Sequence, residues 1–189
     1  VRPLKSGALL VLLSVLAIEG TAGERSLELQ LQGGATSATR LAGCCSSAGT
    51  QASVLGITRF EGLASWPAVE IAASSSGRWS AFSAGPSYYF VGGPLEKDPS
   101  SSEDLSVVRV SDWAATASFG LGMGVHSART IDFDLPVLVV SFLTYARVQL
   151  RYAWDERWTI LLTGEGAAAA TGNYFMLVPS LHLGTGYRF

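Results

Sequence analysis

Cysteine, histidine and long apolar runs are all scarce in this sequence, and each scarcity removes a class of function. The two cysteines, Cys44 and Cys45, stand side by side. Neighbours in the chain can close only a strained vicinal bridge, and with no histidine nearby they make a weak metal site. The expected reading is a surface loop without chemistry, and no metal or cofactor is implied. Basic residues form no block either: 13 Lys and Arg stand against 15 Asp and Glu, for a formal net charge of -2. Nothing here neutralises a phosphate backbone, so nucleic acid is not an expected partner. A membrane-spanning helix needs ~20 apolar residues, and the run over residues 9–18 is stopped by Glu19.

What is present is a chain that is 48% hydrophobic with 21 glycines and a mean hydropathy of +0.31. Without a membrane helix, such a chain must hide its apolar residues in a core or alternate them along strands; one domain that contacts lipid fits best. The first 23 residues read as a helical signal peptide. Arg2 and Lys5 make a positive start, an apolar stretch follows, and Gly20-Thr21-Ala22-Gly23 offers small residues for cleavage. Residues 24–189 are then the mature domain. Leu41-Ala42-Gly43-Cys44 has the look of a lipoprotein box, but the polar stretch 24–40 separates it from the apolar run, so lipidation is not expected.

Past the leader, apolar and polar residues alternate with period two, the pattern of strands with one apolar and one polar face. Leu27, Leu29 and Leu31 alternate with Glu28, Gln30 and Gln32. Ala146, Val148, Leu150, Tyr152 and Trp154 alternate with Arg147, Gln149 and Arg151. A soluble sandwich has the same alternation, so the strand ends decide. Trp154 and Trp158 flank the turn Asp155-Glu156-Arg157, and Trp66, Trp79, Trp113, Tyr88 and Phe90 also fall near expected strand ends. Aromatic girdles at two membrane interfaces have this distribution. The polar face carries Arg and Glu in mid-strand together with glycines, which suits a narrow hydrogen-bonded interior.

The last strand is the most specific segment. His182, Gly184, Tyr187 and Phe189 occupy the positions of a polar residue, a glycine two on, and aromatics at the antepenultimate and final places. This resembles the C-terminal insertion signal of bacterial outer-membrane barrels, and length and pattern resemble the small eight-stranded members of that family. The resemblance implies an all-β fold, an antiparallel up-and-down transmembrane barrel of about eight strands. It also implies export to the outer membrane of a Gram-negative envelope, contact with its lipid and lipopolysaccharide, recognition by the barrel assembly machinery, and a monomer. Pro179 departs from the pattern, removing a ladder hydrogen bond, and is expected to mark a bulge.

Family practice keeps long loops outside and short turns in the periplasm. The polar segments 33–51 and 92–111 are therefore placed outside, with strands near 25–33, 62–74, 79–91, 112–126, 133–142, 145–154, 158–171 and 175–189. The turns at 75–78 and 155–157 then both face the periplasm. The weak point is residues 141–145, a required reversal with no Gly, Pro or Asn. A rival threading splits 54–74 into two strands and fuses 137–154 into one, at the cost of a long periplasmic loop.

Placing Trp154 opposite Trp158 across the turn sets Arg147 opposite Glu165 on the interior face. This ion pair is expected to be structural, since a lone charge in the lumen lacks a partner. An enzyme that modifies lipid A is the rival class, and it needs a nucleophile, a base and an orienting carboxylate at the outer rim. His126 is expected inward and at the periplasmic end, His182 inward within the insertion signal, and the His-x-Ser-Asn spacing of the lipid A deacylases is missing. No catalytic residues are assigned. An eight-stranded interior is just wide enough for side chains to fill, which leaves a narrow channel as the transport alternative. The expected role is structural, or surface interaction through external loops.

Overall fold

The structure, a computed structural model, describes residues 26–40, 47–61, 68–77, 79–92, 96–97, 107–108, 112–129, 136–155, 157–171 and 174–189. Residues 1–23, expected to be a signal peptide, and Cys44, Cys45 and Trp66 lie outside the described residues. Among the described residues ten strands run in chain order: β1 (Ser26–Arg40), β2 (Ser47–Glu61), β3 (Ala68–Ser76), β4 (Trp79–Val91), β5 (Glu96–Lys97), β6 (Val107–Val108), β7 (Trp113–Arg129), β8 (Pro136–Ala153), β9 (Trp158–Thr171) and β10 (Tyr174–Arg188). Eight of them close an antiparallel barrel in the order β1-β10-β9-β8-β7-β4-β3-β2, and β5 pairs only with β6. Every barrel pair is antiparallel, and because β1 pairs with both β10 and β2 the wall has no open edge.

The threading differs from the primary expectation and follows its rival. Residues 133–142 and 145–154 are not two strands: β8 runs straight through residues 141–145, where unbroken alternation gives the chain no reason to turn. Residues 54–74 do split, between β2 and β3. Most of the supposed loop 33–51 is strand, because β1 extends to Arg40 and β2 begins at Ser47. The sidedness changes with the threading. One rim carries both ends of the barrel, Ser26 and Arg188, together with the Asp155 turn and the strand ends Val91 and Trp113 that flank segment 92–112; we call it the terminal rim. The far rim carries the strand ends that flank 41–46, 77–78, 130–135 and 172–173. The turn after Ser75 is thus at the opposite end from the Asp155 turn, and the polar segment 92–111 joins strand ends on the rim of the chain ends.

Following the pairing from Gln30 through Ile57, Ala72, Ser83, Gly122, Leu143, Ala169 and Met176 leads back to β1 at Arg40. A stagger of this size over eight strands tilts them by roughly 40° from the barrel axis. Pro179 produces no bulge in β10, whose register with β9 runs unbroken through the Pro179 and Gly166 pair. The ladder to β1 instead skips from Ser180 to Leu177, where proline has no N–H to give, and the register shift falls on β1 against β2, between Thr36 and Ala38.

Two seams form corners. A Cβ on Gly120 would lie 2.1 Å from the Ala84 carbonyl oxygen, and one on Gly85 would lie 2.0 Å from that of Phe119. On the β1–β10 seam, a Cβ on Gly34 would meet the Leu181 oxygen at 2.0 Å. These contacts require glycine because the sheet folds sharply there. In the closed order the two seams lie diametrically opposite, so the barrel consists of two facing walls, β1–β4 and β7–β10.

Candidate functional site

The lumen holds the residues with chemistry, and their placement follows from strand parity. Even positions of β1, β3, β7 and β10 and odd positions of β2, β4, β8 and β9 point inward, so the polar faces of the alternation meet in the barrel. The outer face carries Leu31, Phe82, Phe119, Leu121, Phe142, Leu162, Leu181 and Leu183, all exposed.

The half of the lumen nearer the terminal rim is a chain of ion pairs. Arg147 and Glu165 face each other directly across β8 and β9, with Nη2 to Oε2 at 2.5 Å and Nε to the same oxygen at 2.8 Å. Arg147 also reaches across the lumen to Glu70 on β3 at 3.1 Å. Glu70 takes a second bond from Arg59 at 2.6 Å, and Arg59 donates to Ser87 at 2.7 Å and Glu61 at 3.1 Å. Glu61 accepts from Tyr89 at 2.5 Å and from Arg188 at 3.1 Å. Arg188 lies 3.9 Å from Glu28, which pairs with Arg151. The chain of contacts is continuous and neutral: Arg59, Arg147, Arg151 and Arg188 balance Glu28, Glu61, Glu70 and Glu165. Gln149 links the pairs to a glutamine ladder, bonding Gln30 at 2.9 Å and Thr163 at 3.0 Å, while Gln32 donates to Gln30 at 3.2 Å. Buried charges need this density of partners, because each unpaired one costs several kcal/mol.

The other half of the lumen is mainly apolar, with Thr36, Ser53 and Ser141 buried among the apolar side chains. Trp79, Leu143, Tyr145, Ala167, Ala169, Met176 and Val178 form one buried cluster, with Ala38 and Ala81 against it. Trp79 therefore belongs to the core and not to a girdle. Its odd position in β4 points inward, and its ring lies over Gly124, where a Cβ would come within 2.1 Å of the indole.

The remaining predicted residues are placed as follows. Trp113, Trp154 and Trp158 are exposed at the terminal rim. Trp113 packs on Tyr152 with ring centroids 4.8 Å apart, and Tyr187 bridges Trp158 and Phe189 at 4.9 Å each. Asp155 holds the intervening turn, its carboxylate accepting from the backbone N–H groups of Arg157 and Trp158 at 2.7 Å each. Gly184 lies inward on the closing seam. His182 is buried and shares a 2.9 Å hydrogen bond with Ser53, made over Gly34, which lies between them in the sheet. His182 Nδ1 has no partner among the described residues. His126 is not at the terminal end as expected; it pairs with Trp79 near the far rim.

Sequence reasoning missed Arg59, Glu61, Glu70 and Arg188. The signal was present, since all four fall on polar positions of alternating segments. Joining Arg147 to Glu70 requires contact between non-adjacent strands, which only the stagger of the closed barrel supplies.

Neither the known family models nor the curated proteins contain a match to this sequence. Among solved structures, Neisserial surface protein A superposes with a TM-score of 0.57 at 13% identity, over 86% of this chain and 95% of that one. Ail of Yersinia pestis, in complex with the heparin analogue sucrose octasulfate, gives 0.53 at 12% identity over 88% and 100%. The N-terminal barrel domain of Pseudomonas aeruginosa OprF gives 0.50 at 16% over 87% and 97%. This chain has the fold of the small eight-stranded outer-membrane barrels. In that barrel fold, the lumen is a layered core, ionic towards one rim and mainly apolar towards the other.

Proposed function

We propose that this is an exported outer-membrane protein that spans the bilayer as a closed, non-conducting barrel, with a structural or surface-interaction role and no enzymatic activity. The observation that carries the reading is the inverted partition of side chains. Four arginines and four glutamates are inside, while phenylalanine, leucine and valine cover the outside. An apolar face of that extent is a liability in water and an asset in lipid. Support for a closed barrel comes from the cross-lumen bonds and from the apolar cluster beyond them. Support for a non-catalytic role comes from His182 and Ser53, both in the closed interior and away from any lipid-facing rim.

With the terminal rim towards the periplasm, the side on which the expected threading put the Asp155 turn, the outward-facing connections are the short ones at 41–46, 77–78, 130–135 and 172–173. Surface interaction then rests on the projecting far ends of long strands rather than on long loops. Strands of 17 and 18 residues in β7 and β8 exceed the ~9–11 that a bilayer takes.

Conductance tests this reading. The refolded protein in a planar bilayer should show no steady openings, whereas a reproducible unitary conductance would replace the scaffold with a channel. Targeting gives an independent check. Changing both Tyr187 and Phe189 to Ser removes the aromatic cluster beside Trp158 and should leave the exported chain in the periplasm for degradation; normal outer-membrane levels would count against the insertion-signal reading.

A further inference from the structure

The apolar belt is not level. On the wall β1–β4 the outward apolar residues run from Leu27, Phe60, Val69 and Phe90 up to Val54, Ala73 and Phe82. Beyond them the outer face turns to small polar residues: Ser37 and Thr39 on β1, Thr50 on β2, Ser75 on β3 and Ser80 on β4, with Thr50, Ser75 and Ser80 exposed and Ser75 hydrogen-bonded to Ser80 at 3.1 Å. On the wall β7–β10 the apolar face continues through Met123, Val125, Val140, Phe142, Leu177 and Phe175, all exposed, with Phe142 reaching 75%. Stagger and tilt place Ser80, Ser75 and Thr50 at about the same height as Phe142, Met123 and Val125. The belt is therefore about 20 Å tall on one wall and about 30 Å on the other, from the rise per residue and the strand tilt.

The geometry points to a tilted seat in the bilayer, or to a bilayer that is thinner beside β1–β4 than beside β7–β10, and we propose that lipid acyl chains cover the far end of the β7–β10 wall while water reaches the same height on the β1–β4 wall. This rests on the bilayer-spanning reading. The occupant follows from continuity: the far apolar patch is an upward extension of the belt that the same reading places in hydrocarbon, and among the outward residues between Leu150 and Val140 on β8 only Thr144 is polar. Covering it with lipid requires only tilt or a local change in bilayer thickness, each of which costs a fraction of a kcal/mol per Å of mismatch. The aromatic rings at the terminal rim lie at nearly one height on the wall β7–β10 and in β4, so the slope is confined to the far boundary.

Site-directed spin labels measure this directly. In a background with Cys44→Ser and Cys45→Ser, single cysteines at Ser80, Ser75, Phe142 and Leu177 are labelled and the protein is refolded into phosphatidylcholine vesicles. The oxygen to Ni(II) chelate collision ratio should be several-fold higher at Phe142 and Leu177 than at Ser80 and Ser75. Thr50 and Val140 provide a second pair if a first-choice variant does not fold. Equal ratios on the two walls would overturn the proposal. Labels at Leu31 and Leu121 report the middle of the belt; a water-like ratio there would instead remove the spanning reading, and the proposal with it.

Discussion

Arg147→Ala should destabilise the barrel by about 3–5 kcal/mol, the scale for leaving a buried charge uncompensated, and it should be the most damaging single truncation in the ion-pair chain. Arg147 is one of the links between the two walls, and the one that holds both Glu165 and Glu70. Removing it leaves Glu165 without the cation it bonds through two nitrogens, while Glu70 keeps Arg59 at 2.6 Å. The balance of four arginines and four glutamates becomes an excess of one negative charge in the lumen. Glu165→Ala should cost less, because Arg147 retains Glu70 at 3.1 Å and stacks over Tyr145 at 4.8 Å. The double variant restores neutrality, so its loss should fall short of the sum of the two single losses by ~0.5–3 kcal/mol. Urea unfolding in lipid vesicles measures all three. Strictly additive losses would mean that the pair contributes no coupling, and a smaller effect for Arg147→Ala than for Glu165→Ala would contradict the chain of contacts.

This pair also marks how far the sequence could be read. Arg147 opposite Glu165 follows from one short turn with tryptophans on both sides, because strand pairing next to a tight turn is fixed by local geometry. Strand number and inside-outside parity follow from alternation for the same reason. Sidedness did not follow. It depended on whether residues 141–145 reverse the chain and whether 54–74 splits, and the two errors together transfer the connections lying between them to the other rim, as happened to the turn after Ser75 and to segment 92–111. Trp79 was misplaced by composition: tryptophan near a strand end suits a girdle, but its odd position in β4 sends it inward. The charged partners on β1, β2, β3 and β10 were legible as inward polar residues and illegible as a network, since contacts across a lumen depend on the stagger summed over all eight strands. The two walls were equally hidden, because an inward glycine looks the same in a sequence whether it marks a corner or leaves space.

That last distinction yields a graded prediction for three glycines. Gly120→Ala should abolish folding: the added Cβ would lie 2.1 Å from the Ala84 carbonyl oxygen and 2.9 Å from the Gly85 Cα, both backbone atoms of the neighbouring strand. Relief would require opening the β4–β7 corner, which breaks the ladder that closes the barrel. Gly124→Ala meets the distal atoms of the Trp79 indole at 2.1, 2.5 and 2.9 Å. A side chain can yield where a backbone cannot, so this variant should fold with the loss of ~1–3 kcal/mol typical of overpacking. Trp79→Phe shortens the obstructing ring, and should restore part of that loss in the double variant even though it is itself destabilising as a single change. Gly164 faces outward with nothing within 4 Å of a Cβ, so Gly164→Ala should be nearly neutral. Heat-modifiable migration on gels scores folding for each variant, and urea titration scores stability. A folded, stable Gly120→Ala barrel would show that the corner is not set by close backbone approach. Additive losses for Gly124→Ala and Trp79→Phe would remove the indole from its position over Gly124, and with it the packing that closes the far half of the lumen.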